Sequence, residues 1–158
     1  MIPRRFFSLL ATLALIGLPL LASGHGYRLG DIRIVHPWAM PTARGVAGDA
    51  SGVGYLILKN NGRKSDRLLS ASTEIAEKVE LRAHSGTGDT PPTRPVESIE
   101  IPAGGEVRLE PGGPYLLLLN LKQPLEEGQH FAVALRLERA GKITVDMWVQ
   151  KNAKNSIY

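Results

Sequence analysis

The chain has 158 residues, no cysteine, and 19 Lys and Arg against 15 Asp and Glu. Without a thiol there is no disulfide, no thiolate metal site and no CxxC redox chemistry, so a metal must be held by His, Met, carboxylates, backbone groups or a terminal amine. The basic residues are scattered and their excess is small, which excludes the clustered cationic footprint of a nucleic-acid binder.

Arg4 and Arg5 precede an apolar run from Phe6 to Leu21, which ends in the small residues Ala22, Ser23 and Gly24. That three-part order is a secretory signal peptide over residues 1–24, and the apolar run is shorter than the ~20 residues a membrane-spanning helix needs. Ala22 and Gly24 fit the small-x-small cleavage pattern, so the mature chain is expected to begin at His25 and to be periplasmic. Cuts after Ala22 or Ser23 stay open, and the Arg4-Arg5 pair also fits twin-arginine export. What is left is the size of one domain.

From there the chain has a strand rhythm, with short alternating or apolar runs between Gly, Pro, Asn and Asp. Strands are predicted at Asp31 to Trp38, Val53 to Lys59, Arg67 to Ala71, Lys78 to Ala83, Ser98 to Ile101, Glu106 to Leu109, Tyr115 to Leu119, His130 to Glu138 and Lys142 to Val149. One short helical turn is expected around Glu74 to Glu77, and true loops at Pro41 to Gly52 and Ser85 to Pro95. The pattern predicts an all-β, antiparallel Greek-key β-sandwich over 25–150, followed by a tail at 151–158.

Several collinear motifs resemble the periplasmic copper chaperone (PCuAC) family. They are Gly30-Asp31-Ile32-x-Ile34-x-His36-Pro37-Trp38-Ala39, Gly54-Tyr55-Leu56-x-Leu58-x-Asn60-Asn61-Gly62, Ser65-Asp66-Arg67-Leu68-Leu69-x-Ala71-Ser72, Leu109-x-Pro111-Gly112-Gly113 and Leu121-Lys122-Gln123-Pro124-Leu125-x-x-Gly128. The resemblance implies a cupredoxin-like β-sandwich that carries copper toward oxidases, with a copper-accepting or assembly protein as partner. It also implies a Cu(I) site built from a His, a Met about eleven positions on, and a His-x-Met after about twenty-two more. Here that spacing falls on Arg82, Thr93, Tyr115 and Leu117, none of which is a soft donor, so the Cu(I) site is not expected.

A different site is expected in its place. If Gly30-Asp31 is the two-residue turn of a hairpin, Leu29 pairs with Ile32 and Tyr27 with Ile34, and His25 lies opposite His36. The α-amine and ring of a freed His25, with the ring of His36, make three nitrogens in a histidine brace, a set that favours Cu(II) over Cu(I). This resembles a subset of the family that lacks the usual motif. His84, Met40 and Asp49 rank below as ligands: His84 shares a strand side with Arg82, Met40 offers a weak axial thioether, and Asp49 a loop carboxylate. His130 is left out, and Met147 is read as core. The plain alternative is that His25 is a frayed first residue and His36 packs a strand end.

Three functions follow. The first is Cu(II) storage or delivery to a cuproenzyme. The second is a metal-free protein-interaction module on the same fold. The third, a brace-type copper oxidase, ranks last because the chain has few aromatic residues for a substrate face, and an enzyme is not expected.

Overall fold

The computed structural model describes residues 26–42, 50–89 and 91–153. Eleven strands occur among them: β1 (Gly26–Leu29), β2 (Ile32–Ala39), β3 (Gly52–Asn60), β4 (Asp66–Ser72), β5 (Ala76–His84), β6 (Thr93–Pro95), β7 (Ile99–Ile101), β8 (Glu106–Leu109), β9 (Tyr115–Leu121), β10 (His130–Leu137) and β11 (Gly141–Val149). Alternation shapes most of them. In β10, Phe131, Val133, Leu135 and Leu137 are buried while the residues between face out, as the period of two requires. The central strand β3 is covered for most of its length, and its sequence reads as a nearly continuous apolar run.

The strands form one curled sheet in the order β6-β5-β9-β3-β2-β11-β10-β4-β7, with β1 added to β2 and β8 to β3. The inner face encloses a single core in which Ile34, Leu58, Leu68, Ile101, Leu116 and Met147 are fully buried. The all-β, cupredoxin-like expectation holds, with one departure from antiparallel pairing. Strands β2 and β11 run parallel where Trp148 meets Trp38 and Val149 meets Ala39.

The first hairpin has the register expected from its turn: Leu29 pairs with Ile32, Tyr27 with Ile34 and Gly26 with Val35. Gly30 has φ of 58°, which a primed turn requires at its first central position and which glycine adopts without strain. Gly54 is needed for another reason, since a Cβ there would lie 2.8 Å from the Met147 sulfur inside the core.

Two expectations are corrected. The stretch around Glu74 to Glu77 is not helical: Glu74 and Ile75 form a turn and Ala76 already begins β5, because Ala76 is buried opposite Leu121 and Lys122 donates its N–H to the Ile75 carbonyl at 2.9 Å. The Ser85 to Pro95 stretch is not loop throughout, since Thr93–Pro95 turns back onto β5.

Two buried polar residues fix the turns. Asn60 donates to the Lys64 and Ile101 carbonyls and accepts from the Gly62 N–H, closing the Asn61-Gly62 turn. Asp66 accepts from the backbone N–H groups of Arg67, Arg139 and Ala140, tying the start of β4 to the turn between β10 and β11. Among the described residues no helix is long and apolar enough to cross a membrane.

Candidate metal centre at His36

His36 lies where β2 changes partner. Its first half pairs with β1 and its last two residues with β11. Against β3 the register runs Val35 to Ile57 and then Trp38 to Tyr55, so two residues of β2, His36 and Pro37, oppose Leu56 alone. This is a β-bulge, and His36 occupies its left-handed position with φ of 56°. Glycine is the usual residue there, although His enters this region more readily than most side chains.

The extra residue reverses the parity of the strand. Ile32 and Ile34 face the core before the bulge and Ala39 after it, while Trp38 falls on the other face against Tyr55, with ring centroids 4.7 Å apart.

The imidazole of His36 is half-buried, and its Nε2 lies 3.3 Å from the side-chain nitrogen of Gln150. An amide nitrogen donates and does not accept, so this contact assigns the Nε2 lone pair as acceptor and the ring proton to Nδ1. Gln150 is itself buried and held in place by its backbone N–H, which donates to the Ala39 carbonyl at 3.0 Å. Burial lowers the pKa of His36 below its ordinary value, opposed by a hydrogen bond to the Ala153 carbonyl. The ring is therefore neutral near pH 7, and its single lone pair, on Nε2, is taken by the Gln150 amide, so a metal reaches that nitrogen only when the amide turns away. Carbonyl support behind a ring is also the arrangement that orients ligating histidines elsewhere.

His25 and Asp49 fall outside the described residues. Met40 follows β2 and is 37% exposed. Its sulfur accepts from the Tyr55 hydroxyl at 3.8 Å, and burial, with Tyr115 nearby, pushes the Tyr55 phenol upward so that it stays protonated. His84 ends β5 opposite Thr93. His130 stacks on Trp148 on the outer face of β10 and β11, its Nδ1 3.7 Å from Asp146. Among the described residues no three His, Cys, Asp or Glu side chains converge.

The positions picked out by the family's Cu(I) spacing do come together. Arg82 pairs across from Tyr115, the Thr93 and Tyr115 hydroxyls are 3.0 Å apart, and Arg82 Nη2 donates to the Thr93 carbonyl at 2.9 Å. Nη1 of Arg82 donates to Glu80 at 3.1 Å, and Leu117 sits opposite Glu80 on β9. The place is filled by a fixed guanidinium and two hydroxyls, with no soft donor, so its residues do not fit Cu(I). Sequence reasoning found this register but missed Gln150, because its contact depends on the parallel β2–β11 pairing, for which the residues carry no local signal.

Three comparisons bear on this arrangement. The family model described as "Putative lipoprotein LpqE-like" matches residues 32–149. The protein described as "Putative lipoprotein Lxx21020" from Leifsonia xyli subsp. xyli is 27% identical over 122 residues, covering 77% of this chain and 70% of that protein. Among solved structures, the apo PCuAC domain from PmoF1 superposes with a TM-score of 0.68 at 25% identity, covering 81% of this chain and all of that one. The copper-bound PCuAC domain from PmoF2 also gives 0.68, at 23% identity, covering 81% of this chain and 99% of that domain. The Cu(I) form of DR1885 from Deinococcus radiodurans gives 0.61 at 21% identity, covering 83% and 84%. With most of its strands inside one matched model and its fold shared with PCuAC copper chaperone domains, the chain belongs to the LpqE-like, PCuAC-related family.

Proposed function

We propose that this protein is an exported copper-binding protein of the bacterial envelope that holds Cu(II) as cargo through His25 and His36, for storage or delivery to a cuproenzyme. The observation that carries the reading is the β1–β2 register, which pairs Gly26 with Val35 beside the bulge at His36; the proposal extends that register by one residue to His25. The neutral imidazole supplies one nitrogen, and cleavage ahead of His25 supplies a second ring and the α-amine. The Ala153 carbonyl orients the His36 ring, and the Gln150 amide gives up Nε2 when copper binds there. The copper-bound PmoF2 domain of the same fold supports copper as the ion. The family description fits export to the envelope, and we place the protein in the periplasm with the signal removed. The role is that of a carrier: bound Cu(II) is passed on unchanged and no catalytic step is assigned.

One observation favours a second reading. The Arg82, Thr93 and Tyr115 cluster closes the family's usual site, as a metal-free interaction module on this fold would do. Calorimetric titration of Cu(II) into the chain beginning at His25 separates the two. The carrier reading expects one tight site, lost by at least a hundredfold in His36→Ala and retained in His84→Ala. Absence of a tight site in the unaltered chain contradicts it and leaves the interaction module.

A further inference from the structure

A row of positive charge crosses the outer face of the sheet at the hairpin end. Arg28 on β1 pairs directly with Arg33 on β2, and Arg33 pairs directly with Lys59 on β3. All three alternate with core residues, Leu29 and Tyr27 on β1, Ile32 and Ile34 on β2, and Leu58 on β3, so their side chains stand on the solvent face.

One step farther, Glu106 on β8 opposes Lys59 and contacts it at 3.4 Å, and Arg108 opposes Ile57. Glu106 is shared, since Arg108 Nε donates to it at 2.7 Å. Arg28 reaches only the Gly30 carbonyl, at 3.3 Å, and among the described residues the Arg33 side chain has no hydrogen-bond or ion-pair partner.

Like charges directly opposite one another on a sheet repel, yet two such pairs occur in succession here. Arg28, Arg33, Lys59 and Arg108 stand here with the carboxylates Glu106 and, at the exposed hairpin turn, Asp31, whereas residues 25–158 together hold 17 Lys and Arg against 15 Asp and Glu. The rest of the protein is therefore balanced, and the positive excess sits on this face.

We propose that the Arg28, Arg33 and Lys59 face docks the protein onto a membrane surface rich in anionic phospholipid. Charge complementarity calls for an anionic surface, and the form of the face favours lipid over an acidic protein. The face is an open sheet surface with long cationic side chains, and guanidinium groups take phosphate oxygens two at a time, so a planar array of phosphodiesters meets it without a shaped partner. An electrostatic face of this kind gives reversible membrane contact.

The test is co-sedimentation of the chain beginning at His25 with phosphatidylglycerol-containing vesicles and with phosphatidylcholine vesicles, at low and high salt. The proposal expects binding to the phosphatidylglycerol vesicles alone, reversed by high salt. At about fivefold per cation, Arg33→Ser with Lys59→Ser should weaken it about twenty-fivefold. Both side chains are exposed, so the double variant should keep the melting temperature of the parent, which removes misfolding as an explanation. Glu106→Gln, which deletes the carboxylate shared by Lys59 and Arg108, should strengthen binding.

Failure of the unaltered chain to bind anionic vesicles overturns the proposal. So does equal binding by the double variant, which would place the contact elsewhere. Retention on immobilised polyglutamate without vesicle binding also overturns it, in favour of an acidic protein surface.

Discussion

A histidine in the left-handed region costs about 1–2 kcal/mol relative to glycine at the same place. At residue 36 this cost is borne in the middle of a strand, where glycine would close the same bulge without it. The imidazole recovers part of it through Gln150 and Ala153. A substitution pair separates backbone strain from ligand chemistry. His36→Gly should unfold in urea within about 1 kcal/mol of the unaltered protein, and His36→Ala, still left-handed without a ring, about 1 kcal/mol below His36→Gly. Both should lose copper. A Gly variant destabilised by several kcal/mol would mean the ring is chiefly a packing residue. The sequence revealed the hairpin register as far as Val35, but not the φ of His36, because a bulge is set by how two strands are held by different neighbours rather than by the residues within it.

Among elements, the strands were legible where alternation was strict, as in β10 and β11, and the first hairpin where a Gly-Asp turn fixed the register. They were not legible where tertiary pairing overrode local preference. Ala76 joins a strand because Leu121 lies opposite it, and Thr93–Pro95 is too short to announce itself without β5 beside it.

Asp66 holds three backbone donors from two separate elements, so its loss should act on the β4 and β10–β11 junction rather than on one strand. Asp66→Ala strands the Arg139 and Ala140 N–H groups and should cost about 2–4 kcal/mol by denaturant titration. Near the closed cluster, hydrogen bonds from Lys78 and then Arg82 hold the Glu80 carboxyl below its ordinary pKa. A depressed carboxyl pKa stabilises the fold above the unfolded-state value near ~4.3 and loses that contribution as pH falls through the folded value. Stability measured between pH 5 and pH 3 should therefore fall less steeply in Glu80→Gln than in the parent.

Over the whole molecule, composition alone excluded thiol chemistry, and strand rhythm indicated an all-β domain held without disulfides by one apolar core. The candidate site was legible in halves. Spacing located the place where Arg82, Thr93 and Tyr115 meet and showed that soft donors are missing from it, but the part played by Gln150 required the parallel closure of β2 on β11. The charged face depends on cross-strand register in the same way, since the hairpin turn already sets Arg28 opposite Arg33 but Lys59, distant in sequence, joins their row only once β3 is aligned on β2.

The central claim is that copper is held by His36 together with the ring and freed amine of His25. It is tested most directly by electron paramagnetic resonance of the Cu(II)-loaded chain beginning at His25, compared with the same chain carrying one extra residue ahead of it. The account predicts a nitrogen-rich type 2 signal that disappears or changes its nitrogen hyperfine pattern on extension. Identical spectra from the two forms would contradict it, because the terminal amine would then have no part in the site.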